Sequence, residues 1–169
     1  MMAAYRQAEA LIIAPYLVAF HMVGAATDYQ SLRYGLASCL MDNGYFVFNI
    51  LPPGQTNASY GDTLWLHEYN ANLGQSIAGP SLTAWQHGVY RRDFQNGIAL
   101  VNPKGNGVQT VTLETTYKRL SGSQAPSVNS GQTTQTVTLQ DRDGIILLRL
   151  NTSATTPAIP APPTQVIVH

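Results

Sequence analysis

The hydrophobic pattern of the chain changes its period near Trp85. Upstream, residues 15–22 and 45–51 form continuous apolar runs, which are typical of parallel strands that are covered on both faces. Downstream, apolar and polar residues alternate, and Asn96-Gly97 offers the positive φ of a tight hairpin turn. This change of period predicts an α/β segment followed by an antiparallel all-β segment.

Two helical patterns alternate with the apolar runs. Apolar residues recur at spacings of three and four within residues 1–13, which end ahead of Pro15. A second helix is predicted within residues 27–44, where Asp28 is a candidate N-cap and Gly44 a stop signal. The order helix, strand, helix, strand is that of consecutive βα units with parallel pairing.

Three parts of the chain are distinguished by composition. Residues 52–84 break the βα order with a loop, a short helical segment and a linker. Further along, the alternation predicts roughly five antiparallel strands, as in a small sandwich or barrel. The predicted divisions are therefore a partial (β/α) segment at 1–84, an antiparallel β domain at 85–150 and a tail at 151–169. The tail is rich in Pro and Thr, and its apolar end is suited to pair with an exposed strand edge.

Composition and charge exclude several partners. Lys and Arg together number 9, as do Asp and Glu, and the longest basic cluster is Arg91-Arg92, so nucleic acid is not expected as a partner. Glu9 and Pro15 interrupt the apolar N-terminal run, which falls short of the roughly 20 residues of a membrane span. We expect neither a signal peptide nor a span. The polar, weakly charged composition favours an extracellular location, although the single cysteine, Cys39, leaves the compartment unknown.

Four stretches together resemble the C-terminal portion of a glycoside-hydrolase-like family, a TIM barrel with an appended antiparallel β domain. They are SLRYGLASCLMDNGYFVF, GDTLWLHEYNANLG, GVYRRDFQNGIALVNP and VTLQDRDGIILLRL. The resemblance covers about residues 28–150 and implies that the first stretch is the last barrel helix and the closing barrel strand. The second would cross the barrel mouth, and the last two would belong to a small β-sandwich.

A complete barrel of this kind needs roughly 200 residues or more. The chain has 169 residues and room for only the last βα units, so the resemblance implies a fragment or a truncated relative. A partial barrel exposes strand edges and apolar faces, and for this reason we expect self-association. Polysaccharide is the substrate that the resemblance implies for a full-length relative.

The candidate site residues lie in the segment that follows the second predicted strand. Glycosidases need two carboxyl groups that face each other across the sugar, and Asp62 and Glu68 are the candidates in this segment. We expect them to bond sugar hydroxyls while Trp65 and Tyr69 stack on the ring. The alternative is that Trp65 packs this segment against the β domain and that Glu68 is a surface or capping carboxylate. His21, after the first apolar run, is a further candidate for sugar contact, and a buried, hydrogen-bonded histidine is its alternative.

No catalytic residue is assigned, because at least one of the two carboxylates is expected to come from strands that this chain lacks. Whether the chain is an enzyme therefore stays open, and inactivity of the chain alone is expected. No metal or cofactor is expected, since the 4 histidines lack the spacing of metal sites and the sequence has no phosphate-binding glycine motif. Arg91 or Arg92 is expected to pair with Asp141 or Asp143.

Two other functions remain open at this point. The first is a self-assembling structural protein whose interface is the partial barrel together with the β domain. The second is a non-catalytic carbohydrate-binding module that uses Trp65, Tyr69 and Trp85.

Overall fold

The computed structural model describes residues 2–13, 18–52, 54 and 64–150, without the side chains of residues 2–5 and 9. Asp62 and the predicted tail lie outside the described residues. The first part of the chain contains α1 (Met2–Leu11), β1 (Ala19–Gly24), α2 (Tyr29–Leu40), β2 (Tyr45–Ile50) and a 3₁₀ turn (His67–Asn70). The second part contains β3 (Tyr90–Phe94), β4 (Gly97–Asn102), β5 (Gln109–Arg119), β6 (Thr133–Leu139) and β7 (Asp143–Arg149).

Strands β1 and β2 pair in parallel, with α2 as the connection between them. Helix α2 begins after Asp28, whose Oδ1 accepts a hydrogen bond of 3.1 Å from the backbone N–H of Ser31. One face of the strand pair packs against α2, where Phe48 and Leu32 are buried in the same cluster. Gly35 allows this approach, because a Cβ atom on it would lie 2.3 Å from Met22 Sδ.

The other five strands form one antiparallel sheet in the order β3-β4-β7-β5-β6. Successive side chains of β4 point to opposite faces, so Ile98 and Leu100 belong to one buried cluster, while Ala99 and Val101 belong to another. Both faces of this sheet are therefore covered. The buried partners of Ile98 and Leu100 are Val89, Val111, Leu113, Tyr117, Val137, Leu139, Ile145 and Leu147.

Helix α2 lies between the two sheets and packs on both. On the side of the five-stranded sheet, Ala37 shares a buried cluster with Ala99 and Ile146. Arg33 of α2 forms a buried ion pair with Asp143 of β7 on the same side. The helix therefore fixes the β1–β2 sheet relative to the rest of the chain.

Gly97, at the predicted hairpin turn, and Gly144, at a later turn, have a packing role rather than a conformational one. Gly97 does not have a positive φ, but a Cβ atom on it would lie 2.3 Å from the backbone oxygen of Leu147. A Cβ atom on Gly144 would similarly lie 2.7 Å from the backbone oxygen of Arg33. The positive φ near the second turn, 55°, belongs to Arg142. Both glycines thus permit close approach between elements.

The predicted TIM-type barrel is wrong, and so is the predicted β-sandwich. The described chain is mostly β with two helices; its parallel sheet has two strands, and its antiparallel strands form a single five-stranded sheet. The apolar run 45–51 was interpreted as burial on both faces, whereas Tyr45 and Val47 are exposed on the second face. The domain boundaries stay predictions. Among the described residues, no helix is long and apolar enough to cross a membrane.

Candidate interaction surface

His21 lies in β1 and is exposed rather than buried. Its Nε2 is 2.5 Å from Oδ1 of Asn49 in β2. Asn49 is itself buried and lies two residue pairs further along the parallel ladder, opposite Val23. The pair therefore links the two strands through their side chains, on the face that points away from α2.

The aromatic residues of the predicted site do come together. The rings of Trp65 and Tyr69 meet edge to face, with centroids 5.3 Å apart and planes at 77°. Trp65 is 66% exposed, and both rings line a pocket of about 210 Å³. We call this pocket the edge groove; it is lined by Phe46, Val47, Phe48, Leu64, Trp65 and Tyr69.

Glu68 does not line the edge groove and bonds to Asn129 instead. The side chain is 5% exposed, and its Oε1 accepts a hydrogen bond of 2.9 Å from Asn129 Nδ2. Gln124 makes two further bonds to the same segment: its Oε1 accepts from His67 N at 2.9 Å, and its Nε2 donates to Trp65 O at 3.0 Å. These bonds attach residues 65–68 to the loop between β5 and β6. The segment is therefore attached to the β domain through Glu68 and Gln124, and Glu68 is buried rather than a surface carboxylate.

Burial keeps two titratable groups near the groove in their neutral forms. It raises the pKa of the Tyr69 hydroxyl to about 12, with smaller electrostatic contributions from Glu68 and Cys39. It also raises the pKa of the Cys39 thiol to about 12, and Asp42 adds to that rise. Tyr69 is therefore a hydroxyl at neutral pH, and Cys39 is a thiol rather than a nucleophilic thiolate.

The second face of the β1–β2 sheet carries exposed apolar side chains. Val23 is 41% exposed, Tyr45 61% and Val47 38%. We call this surface the outer face; it consists of Ala19, His21, Val23, Tyr45, Val47 and Asn49. Alternate residues of each apolar run share one face of the sheet, so the sequence indicates which residues lie together. Because both runs are apolar at nearly every position, the sequence does not indicate which of the two faces is exposed to water.

Strand β2 is also an edge strand in the described part of the chain. The N–H groups of Tyr45 and Leu51 bond to β1-side carbonyls at 2.9 and 2.8 Å. Because backbone groups alternate in direction along a strand, the N–H and C=O groups of Phe46 and Phe48 point away from β1. Three consecutive residues of β2 line the edge groove, so the groove runs along this open edge.

Trp85 lies at a separate, charged cluster. The Arg91 guanidinium stacks over the Trp85 ring at 4.8 Å and donates to Glu114 Oε2 at 2.6 Å and to Asp93 Oδ1 at 2.8 Å. The hydrogen bond from Arg91 is the main cause that lowers the pKa of Glu114 to about 2, and a hydrogen bond from Tyr117 adds to it. Arg91 and Asp93 also line a pocket of about 540 Å³, together with residues 78–85. The Glu114 carboxylate is thus held ionised by the Arg91 guanidinium.

The predicted partners of Arg91 and Arg92 are wrong. Arg91 pairs with Asp93 and Glu114. Arg92 is buried and donates to the backbone oxygens of Leu40 and Asp42, at the C-terminus of α2. Asp141 and Asp143 have other partners: Asp141 accepts bonds from the backbone of the turn after β4, and Asp143 pairs with Arg33.

No family model, curated protein or solved structure matches this chain. No group of three or more His, Cys, Asp or Glu side chains that could hold a metal ion occurs among the described residues. Within the described residues, the chain is mostly β, and the second face of its two-stranded parallel sheet is only partly covered.

Proposed function

We propose that this chain is a self-assembling protein, in which the outer face of one copy packs against the outer face of a second copy. One observation carries the proposal: α2 covers one face of the parallel sheet, while the other face presents Val23, Tyr45 and Val47 to solvent. Parallel sheets occur almost only where both faces are covered. A second sheet is the simplest cover for the remaining one.

The charge distribution favours contact between identical copies. The outer face contains no Asp, Glu, Lys or Arg, and its histidine is hydrogen-bonded to Asn49. The whole chain has a net charge of zero, so no long-range repulsion opposes association. A two-fold axis through the face would bring apolar side chains of both copies together, which is the usual geometry of a homodimer.

Burial of these side chains is the expected driving force. Full burial of a valine side chain contributes roughly 1.5–3 kcal/mol, and a two-fold contact buries each residue of the face twice. Association is opposed by the loss of translational and rotational freedom, which costs about 4 kcal/mol or more. Val23, Tyr45 and Val47 are already partly buried, so their further burial is of the same order as this cost, and we expect a weak, concentration-dependent dimer.

Size-exclusion chromatography with light scattering, over a range of protein concentrations, tests this proposal. We expect a dimer for the unmodified chain, and a monomer for Val23→Lys and for Tyr45→Lys, because each places a charge in the interface. Val108→Lys is the matched control, since Val108 is an exposed valine outside the outer face. Far-UV circular dichroism checks that the variants fold. A monomer at every concentration, or equal effects of Val23→Lys and Val108→Lys, would overturn the proposal.

The functions that involve carbohydrate stay predictions. Neither the comparisons nor the described contacts test whether the chain is the C-terminal part of a polysaccharide-acting protein. The same holds for a carbohydrate-binding module at Trp65 and Tyr69. The stacking of Arg91 on Trp85 occupies one ring face of that residue, which leaves it less available for a sugar.

A further inference from the structure

The open edge of β2 offers hydrogen-bonding groups of the peptide backbone. The N–H and C=O groups of Phe46 and Phe48 point away from β1, and in the described part of the chain no strand pairs with them. Unpaired edge groups of this kind are satisfied by an extended peptide that adds as a further strand. We therefore expect the open edge to recognise the backbone of a bound peptide.

The edge groove lies beside these groups, and we expect it to recognise a side chain of the bound peptide. Its volume of about 210 Å³ is below the roughly 300–1,000 Å³ that is typical of small-molecule sites, so it suits a single side chain. Leu64, Trp65 and Tyr69 form the wall opposite β2. In strand-addition complexes, the backbone supplies affinity and pockets beside the edge supply specificity.

The chemistry of the groove excludes a charged side chain. All six lining residues are aliphatic or aromatic, and the Tyr69 hydroxyl is un-ionised at neutral pH because burial raises its pKa to about 12. A carboxylate or ammonium group in the groove would lose its hydration without gaining a partner of opposite charge. An aliphatic or aromatic side chain would gain contact with the rings of Trp65 and Tyr69.

We infer that the edge groove binds an extended, uncharged peptide segment, which pairs with β2 and inserts one large apolar side chain between β2 and the Trp65–Tyr69 pair. The groove shares Val47 with the outer face, where self-association is proposed, but the other residues of the two surfaces differ. Tyr45 lies on the outer face and does not line the groove, whereas Trp65 lines the groove and lies outside that face. The two activities can therefore be separated by substitution.

Fluorescence anisotropy with short capped peptides tests the inference on the full chain. The peptides alternate Thr and Val around one central residue, which is Leu in the first peptide and Glu in the second. We expect the Leu peptide to bind at least about tenfold more tightly, a difference of 1.4 kcal/mol. A third peptide carries Leu with N-methylated amides, which removes the donors for strand pairing; we expect it not to bind.

Two protein variants locate the binding site. Trp65→Ala removes one wall of the groove and should weaken Leu-peptide binding about tenfold or more. Leu82→Ala is the matched control, because Leu82 is similarly exposed but lies outside the groove. Both residues are exposed, so both variants should fold. Tyr45→Lys should retain peptide binding even where it abolishes self-association.

Several outcomes would overturn the inference. These are no binding of the Leu peptide, equal binding of the N-methylated peptide, or equal effects of Trp65→Ala and Leu82→Ala. Dissociation of a dimer by the Leu peptide would assign the edge to a strand of a second copy and would likewise contradict a separate peptide site. A monomeric chain that binds the peptide would support this inference while overturning the proposed function.

Discussion

Arg33 of α2 and Asp143 of β7 form an ion pair in the protein interior. Arg33 Nη2 lies 3.0 Å from Asp143 Oδ1, and only 7% of each side chain is exposed. Arg33 Nε also donates to the backbone oxygen of Gly144 at 3.3 Å. The pair therefore connects the helix that supports the β1–β2 sheet to the centre of the five-stranded sheet.

Removal of one partner should be much more damaging than removal of both. We expect Arg33→Met to lower the free energy of unfolding by about 3–5 kcal/mol, because it leaves the Asp143 carboxylate buried without a cation. The double variant Arg33→Met/Asp143→Leu should recover a large part of that loss. Urea unfolding of both variants measures the difference. A double variant as unstable as Arg33→Met would show that the charges do not interact as described.

Gly35 should be intolerant of a methyl group although it lies in a helix. Alanine is favoured over glycine in helices by about 1 kcal/mol. A Cβ atom at Gly35 would, however, lie 2.3 Å from Met22 Sδ and 2.4 Å from the Phe46 ring. We therefore expect Gly35→Ala to decrease stability by about 1–3 kcal/mol through overpacking, as measured by thermal or urea unfolding.

Gly79→Ala is the control for this substitution. No atom lies within 4 Å of a Cβ built on Gly79, and the residue does not have a positive φ. It should leave stability unchanged or raise it by less than about 1 kcal/mol. Equal effects of the two alanine substitutions would contradict the tight contact between α2 and the parallel sheet.

Glu114 should contribute to the acid dependence of stability. Its pKa is lowered from the ordinary value of 4.5 to about 2, chiefly by the hydrogen bond from Arg91. The folded state therefore favours the ionised carboxylate, so this contribution is complete above pH 4.5 and is lost as the pH falls towards 2. Because the Glu114 side chain is half exposed, we expect a contribution of only about 0.2–1 kcal/mol.

The test compares urea unfolding of the unmodified chain and Glu114→Gln as a function of pH. The stability difference between them should be largest near neutral pH and should shrink on acidification. A constant difference down to the lowest pH would show that the carboxylate charge is not what stabilises this contact.

Cys39 should be unreactive in the folded protein. It is buried, and its pKa is raised from 9.0 to about 12, mainly by burial. Alkylation by iodoacetamide needs the thiolate, so we expect very slow modification at neutral pH and rapid modification after unfolding in urea. Mass spectrometry of timed samples measures both rates. Rapid alkylation of the folded chain would contradict the burial of α2 between the sheets.

Local sequence patterns predicted the positions of several helices and strands correctly. The helix between Asp28 and Gly44, the strand that begins at Tyr45 and the alternating strands after Trp85 all lie where the sequence placed them. These features depend on capping, periodicity and turn residues, which act within a few positions of the chain. Trp65 and Tyr69 lie in one short segment and their rings meet edge to face, but the predicted stacking on a sugar stays a prediction.

Contacts between distant residues were not predictable in the same way. Asp143 pairs with Arg33, 110 positions away, and Glu68 bonds to Asn129, 61 positions away. Hydrophobic periodicity does not state which of two faces a neighbour will cover. The exposed Val47 illustrates this limit, since its strand has the composition of one that is buried on both sides.

Because α2 contacts both sheets, its loss would change the solubility of what remains. A truncated chain that started at residue 85 would keep all five antiparallel strands, but Ala99, Val101 and Ile146 would lose the helix that shields them. Such a product would expose an apolar surface on its central strands, and this surface would promote aggregation. Expression trials of the isolated sheet should therefore include the segment that carries the helix.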